Sequence, residues 1–112
     1  ALGGHIGWDI GAAAVARHLA RRFDAPLALT GYSRLVIDCN RTLDDPSSIP
    51  AESDGIAVPG NRGLSPGQRA QRAEAIFYPY HAAVDDLVVA KAKSDEAIAV
   101  ISIHSFTPVF GR

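Results

Sequence analysis

Two arginines, Arg34 and Arg41, are the first candidates for chemistry in this sequence. They flank a short apolar run (residues 35–37) of strand-like composition, and Asn40 stands directly before the second arginine. Arginine keeps its charge at any working pH and presents a rigid fork of donors that matches a carboxylate, so the pair predicts an anionic substrate. Spacing alone favours the alternative that each arginine forms a structural salt bridge with a nearby acid, namely Asp38, Asp44 or Asp45.

His104 and Asp9 are candidate metal ligands. His104 follows the apolar run Ala97–Ile103, and an imidazole at the end of a strand can reach a cleft and bind a metal. Asp9 is by position an N-cap for the first helix, and becomes a ligand or a ligand's partner only if other features point there. Taken alone, His104 is more simply a hydrogen-bonded core histidine, and the mid-helix His81 is more simply a partly buried histidine bonded to a neighbour. His5 precedes the predicted helix and gives no reliable pair with Asp9.

Other polar residues indicate which chemistries to set aside. Arg62 lies in a glycine-flanked turn, from which it either closes over an anion or simply carries an exposed charge. The glycine spacing differs from that of a P-loop or a dinucleotide-binding fingerprint. Ser33 and Ser105 lack the G-x-S-x-G context of a nucleophilic serine, and Cys39 has no base nearby in sequence. Phosphate binding and serine or cysteine hydrolysis are therefore disfavoured.

Two helices are predicted to position these residues. Apolar residues three and four apart predict an amphipathic helix from Trp8 that ends at the break 24–26, where proline disfavours helical geometry. Ser65 and Gln68 have the spacing of a capping box, which predicts a second, long helix beginning there. Pro79 must kink that helix or end its first half. Between the helices, residues 42–63 lack periodicity and are predicted to be a long loop of the binding or lid type.

Three apolar runs, residues 27–30, 35–37 and 97–103, have the composition of strands. Nearly all-apolar strands combined with helices predict an α/β fold with a mixed, mostly parallel sheet covered by helices on both faces. Sites in such sheets gather at the carboxyl ends of strands. In this chain those ends carry the Arg34–Arg41 stretch and His104.

Composition limits which kinds of partner the protein can bind and in which compartment it is expected. The 112 residues are 47% hydrophobic with a net charge of −1, which is typical of one soluble domain and excludes the basic footprint of a nucleic-acid binder. No apolar run is long enough to span a membrane, and the single cysteine favours a cytoplasmic location. The chain opens on Ala1 without methionine, so we expect residues 1–112 to be part of a single α/β hydrolase domain whose upstream and downstream segments are missing. Oligomeric state cannot be read from the sequence.

Five ordered blocks resemble the N-formylglutamate amidohydrolase family, over essentially the whole chain from His5 to Phe110. The blocks are HIGWDIGAAAVARHLA, GYSRLVIDCNR, SIPAESDGIAVPGNRGLS, PYHAA and SIHSFTPVF. That family is similar to the zinc carboxypeptidases and aspartoacylases, so the resemblance implies a three-layer, zinc-carboxypeptidase-like sandwich. It also implies a metal-dependent hydrolase of linear amide bonds that releases formate and L-glutamate from N-formyl-L-glutamate, as in histidine degradation.

The resemblance assigns a role to each candidate residue. His104 and Asp9 would bind zinc or another divalent metal, and Arg34 would polarise the scissile carbonyl. Asn40 and Arg41 would hold the α-carboxylate of a small anionic substrate, leaving Arg62 for its side-chain carboxylate. These implications reverse the structural interpretation of His104 reached from spacing.

The family's upstream histidine block and downstream glutamate lie outside the sequence, so a remaining metal ligand and the general base are expected elsewhere. Two alternatives stay open. One is an N-acyl amino acid deacylase or carboxypeptidase of the same superfamily. The other is a catalytically inactive ligand-binding relative.

Overall fold

The computed structural model describes residues 7–94 and 97–105. Within these residues, three α-helices are formed, α1 (Ala12–Phe23), α2 (Pro66–Arg72) and α3 (Tyr78–Ser94). Strands β1 (Glu52–Ser53) and β2 (Ile56–Ala57) make an antiparallel hairpin. Single 3₁₀ turns lie at Pro46–Ser48 and Pro59–Asn61, and Ala73–Phe77 is π-helical. His5 and Phe106, which belong to the matching blocks, lie outside the described residues. None of the helices in the described ranges is long and apolar enough to cross a bilayer.

Helix α1 begins later than the periodicity predicts. Its N-cap is Gly11, which has the left-handed backbone (φ 79°) that glycine adopts without steric cost. The prediction of Asp9 as N-cap is therefore wrong: only its carbonyl oxygen meets the helix, accepting a hydrogen bond from the Ala12 amide (3.2 Å). The predicted end is confirmed, since Asp24 closes the helix with a left-handed backbone (φ 49°). The Asp9 carboxylate does not cap the helix and can make another contact.

Helices α2 and α3 form one long helical stretch interrupted by the π-helical segment. The predicted capping box is confirmed: the Ser65 hydroxyl accepts from the Gln68 amide (3.1 Å), and the Gln68 side-chain oxygen accepts from the Ser65 amide (2.8 Å). Pro79 is the second residue of α3. Because proline lacks an amide hydrogen and its ring crowds the preceding turn, the wider π-helical turn just before it relieves the clash. The sequence predicted a kink or an end of the helix at Pro79, and the structure has a π-helical segment just before it.

The predicted strands agree less well with the structure than the predicted helices do. Residues 34–36 form a turn, in which the Val36 amide donates to the carbonyl of Ser33 (3.0 Å), and Ile37 belongs to no strand, so the strand prediction for residues 35–37 is wrong. Residues 27–30 and 97–103 pair with no strand in the part of the chain that the structure describes. A strand is defined by hydrogen bonds to a neighbour, and apolar composition alone does not supply one. The three-layer sandwich therefore stays a prediction.

The core lies beneath the Arg34–Arg41 stretch. Leu35 and Ile37 are each 2% exposed, and Ile37 clusters with the buried Ile49 and Ala73. Leu64, Ile76 and Phe77 pack around this cluster. Burial of a large aliphatic side chain contributes about 1.5–3 kcal/mol. Leu35 and Ile37 thus anchor from below a stretch whose polar residues remain accessible.

Candidate active site

Asp9 and His104 lie in contact although 95 residues separate them. The Oδ2 atom of Asp9 is 3.0 Å from Nδ1 of His104, and the two side chains are 30% and 38% exposed. Asp9 sits in the irregular chain before α1, and His104 follows the apolar run 97–103. The fold therefore brings together the two residues predicted to bind a metal, at a place that solvent and a small ligand can reach.

The donor set of this pair fits a divalent metal. Tetrahedral zinc with bonds of about 2.0–2.1 Å holds neighbouring ligand atoms about 3.3 Å apart, close to the observed separation of the two atoms. The contact equally fits a hydrogen bond from Nδ1–H to the carboxylate, which orients an imidazole so that its other nitrogen can bind a metal. Within residues 7–94 and 97–105, no group of three or more His, Cys, Asp or Glu side chains has the arrangement of a metal site.

Arg34 is tied by its backbone to the segment that carries Asp9. The carbonyl oxygen of Gly7, two residues before Asp9, accepts from the Arg34 amide (3.2 Å) and from the Ser33 hydroxyl (2.6 Å). The same hydroxyl accepts from the Leu35 amide (3.2 Å). Arg34 itself is half-buried. These bonds fix the backbone of the predicted carbonyl-polarising residue to the segment that leads into Asp9.

Asn40 and Arg41 extend from a rigid turn. The Asn40 amide donates to the Asp38 carboxylate (2.8 Å), the Arg41 amide to the Asp38 carbonyl (3.2 Å), and the Asp38 amide to the carbonyl of buried Ser48 (2.8 Å). The side chains of Asn40 and Arg41 are exposed. A fixed backbone that presents exposed donors costs little ordering entropy when an anion binds.

The salt-bridge alternative for Arg41 receives little support from its surroundings. Its guanidinium donates to the carbonyl of Asn40 (3.3 Å). Hydrogen bonds from Ser47 lower the pKa of the Asp45 carboxyl, and the charge of Arg41 adds only a smaller effect in the same direction. Arg41 therefore stays available to an external anion.

A buried hub that the sequence did not reveal holds this stretch against the loop and α2. The Asn61 side chain, 5% exposed, donates to the carbonyls of Leu35 (2.7 Å) and Pro50 (2.8 Å). Arg72 donates to the Asn61 side-chain oxygen (2.6 Å) and to the Val36 carbonyl (2.8 Å). Leaving such a buried group unpaired costs about 1–3 kcal/mol. Periodicity places Arg72 on a helix but carries no sign of this contact.

Arg62, the predicted ligand for a second carboxylate, follows Asn61 directly. It is exposed, and its amide donates to the Pro59 carbonyl (3.2 Å). Because Asn61 bonds to the carbonyl of Leu35, the hub attaches the Arg62 turn to the stretch that carries the other predicted arginines. Arg62 therefore extends from a fixed position.

Cys39 has the properties of a structural cysteine. Burial, and then the negative charge of Asp38, raise the pKa of its thiol. A thiol that stays protonated near neutral pH is a poor nucleophile. This agrees with the sequence-based exclusion of cysteine hydrolysis.

An open depression of about 360 Å³ lies between the segment that precedes Asp9 and the segment that precedes Arg34. It is lined by Gly7, Trp8, Thr30, Gly31, Tyr32 and Ser33. Its volume lies near the lower end of the range, about 300–1,000 Å³, that ligand pockets occupy. Its lining residues Trp8 and Ser33 directly precede Asp9 and Arg34 in the sequence.

Comparisons with known proteins cover nearly the whole chain, including all the residues of this site. A family model described as N-formylglutamate amidohydrolase matches residues 1–112. The crystal structure of gene product Atu2144 from Agrobacterium tumefaciens matches 99% of the chain at 41% sequence identity, with a TM-score of 0.93. The chain spans 44% of the length of that solved chain. No curated protein matches the sequence.

Proposed function

The chain belongs to the N-formylglutamate amidohydrolase family, and on that premise we propose that the protein is a zinc-dependent hydrolase of N-formyl-L-glutamate. The products are formate and L-glutamate. The observation that carries the proposal is the 3.0 Å contact between Asp9 and His104, because two predicted ligands distant in sequence meet, and the segment that carries Asp9 is hydrogen-bonded to the backbone of Arg34. Family membership supports the amide-hydrolase class, and the residues below carry the finer assignment.

Asp9 and His104 are proposed as two of the metal ligands, with a further ligand from outside the described residues. A bound zinc ion would supply Lewis-acid chemistry and lower the pKa of a water molecule to about 7. The contribution of this chain is to hold a carboxylate oxygen and an imidazole nitrogen close together and half-exposed. Iron or manganese in place of zinc is compatible with the same donor types.

Asn40 and Arg41 are proposed to bind the α-carboxylate. A guanidinium and a carboxamide offer several N–H donors to the two carboxylate oxygens, and Arg41 contributes a permanent positive charge. Their amides are fixed by Asp38, which orients both side chains before the substrate arrives. Arg62 is proposed to meet the side-chain carboxylate, which accounts for a preference for glutamate over uncharged amino acids.

Arg34 is proposed to act on the formyl group. As water adds to the formyl carbon, negative charge develops on the carbonyl oxygen, and a fixed guanidinium stabilises that charge. Contacts of this kind contribute roughly 3–4 kcal/mol to catalysis. The amide C–N bond then breaks, the oxygen from water stays with formate, and the departing nitrogen takes a proton to give free glutamate.

A substrate panel tests this proposal on the intact protein. We expect formate release from N-formyl-L-glutamate and about 30- to 5,000-fold lower kcat/KM for its α-carboxamide, because a charge-paired contact is worth about 2–5 kcal/mol. The Arg41→Ala variant should lose this discrimination, since it no longer distinguishes a carboxylate from an amide by charge. Formate is measured by a coupled dehydrogenase assay.

Other members of the panel separate the alternative functions. Faster cleavage of N-acetyl amino acids would assign the protein as a general N-acyl deacylase, and cleavage of dipeptides would make it a carboxypeptidase. Binding of N-formyl-L-glutamate without turnover would identify an inactive relative. An Arg41→Ala enzyme that keeps the wild-type preference for the α-carboxylate would exclude the assigned binding mode.

A further inference from the structure

Three carbonyl oxygens of the Arg34–Arg41 stretch, those of Leu35, Val36 and Cys39, bond to side chains of distant segments where a strand would use a neighbouring backbone. Asn61 donates to Leu35 and Arg72 to Val36, as described above. A third donor is His81, whose Nε2 lies 2.8 Å from the carbonyl oxygen of Cys39. This last bond differs from the other two because it acts on the peptide that leads directly into Asn40.

The peptide between Cys39 and Asn40 is fixed at both of its polar groups. Its carbonyl oxygen meets His81 on α3, and its amide donates to the Asp38 carboxylate at 2.8 Å. Two opposed hydrogen bonds leave this peptide plane little freedom to rotate. The direction of the Asn40 side chain, and of Arg41 one residue later, follows from the orientation of that plane.

The His81 ring is itself held in place. It packs on Phe77 with ring centroids 4.4 Å apart and against Tyr80 at 5.3 Å. His81 is half-buried. A carbonyl oxygen can only accept a hydrogen bond, so Nε2 must carry the hydrogen. The imidazole is thus a rigid donor built into the first turn of α3.

We propose that His81 is a positioning residue that sets the direction of Asn40 and Arg41 for the substrate α-carboxylate. This rests on the proposed function, because it assumes that those two side chains bind the carboxylate. His81 touches no substrate itself, and it acts through the peptide between Cys39 and Asn40. It links α3, the helix that follows the π-helical segment, to substrate recognition.

The test compares a donor-free and a donor-retaining variant of the intact protein. His81→Leu removes the donor, whereas His81→Gln keeps an N–H donor at nearly the same distance from the backbone. For His81→Leu we expect KM for N-formyl-L-glutamate to rise about 3–10-fold with kcat within about twofold, as loss of one net hydrogen bond implies. His81→Gln should restore most of the loss. His18→Leu, an exposed histidine on α1, serves as the matched control.

A second substrate distinguishes positioning from general damage. The α-carboxamide of N-formyl-L-glutamate offers no carboxylate to Asn40 and Arg41, so its kcat/KM should be the same in His81→Leu as in the wild type. An equal loss on both substrates would overturn the proposal. So would unchanged kinetics on both.

Two measurements keep the inference independent of turnover. Amide hydrogen exchange at Asn40 and Arg41 should accelerate at least about tenfold in His81→Leu and stay slow in His81→Gln. In the wild type, nitrogen NMR should find His81 protonated at Nε2, and a ring protonated at Nδ1 alone would exclude the contact whether or not His81→Leu folds. If the wild-type protein hydrolysed no substrate in the panel, the proposed function would be wrong. Hydrogen exchange and nitrogen NMR would still show whether His81 fixes the peptide between Cys39 and Asn40.

Discussion

Replacing His104 by alanine is expected to lower kcat/KM for N-formyl-L-glutamate by at least about 10³-fold. The substitution removes the imidazole nitrogen that lies 3.0 Å from Asp9 and leaves the carboxylate without this partner. Metal ions contribute several kcal/mol to catalysis, and each 1.4 kcal/mol changes a rate about tenfold. Bound metal, measured by elemental analysis of the purified variant, should fall in parallel with activity.

The matched variants for this prediction are Asp9→Asn and His18→Ala. Asp9→Asn keeps the shape of the side chain and removes its charge, so it should weaken metal binding by about 10–100-fold or more. His18→Ala removes an exposed histidine of α1 and should behave like the wild type. A His104→Ala enzyme that keeps more than a tenth of wild-type activity would rule out His104 as a metal ligand.

Replacing Arg34 by alanine is expected to lower kcat by about 10²–10³-fold with a much smaller change in KM. Negative charge on the formyl oxygen is greatest in the transition state, so a group that stabilises it contributes mainly to kcat. The backbone of Arg34 is bonded to Gly7 and should hold the same course in the variant. Formate release under saturating and limiting substrate separates the two kinetic constants.

Two arginine variants serve as controls for that result. Arg34→Lys keeps a positive charge but loses the planar fork, and should recover only part of the rate. Arg69→Ala removes an exposed arginine from α2 and should leave both constants unchanged. If Arg34→Ala instead raised KM alone, Arg34 would bind the ground state of the substrate and would not polarise the carbonyl.

Local signals predicted the helices well. Ser65 and Gln68 form the capping box that their spacing indicates, and Asp24 ends α1 where proline was expected to end it. These features depend on neighbours within four residues, which a single sequence contains. The failed strand prediction involves distant partners: residues 35–37 have strand-like composition, but side chains from the loop and from α2 bond to the carbonyls of Leu35 and Val36.

The candidate site depended on more than spacing. Periodicity made Asp9 a helix cap and His104 a core histidine, and only the family resemblance joined them. The two residues are 95 positions apart in the sequence, and local sequence patterns do not predict a contact over such a separation. His81 was expected to be half-buried and bonded to a neighbour, which is confirmed, but its partner Cys39 lies 42 residues away. Asn61 was missed because an asparagine in a glycine-rich turn is usually exposed.

The most direct test of the central claim is a zinc titration of the intact, chelator-treated protein, with formate release from N-formyl-L-glutamate as the readout. We predict that the treated protein is inactive, that activity returns in proportion to added zinc, and that it saturates at about one zinc per chain. The His104→Ala variant should gain nothing from the same titration. Full activity in the treated protein, or none at any zinc concentration, would contradict the account.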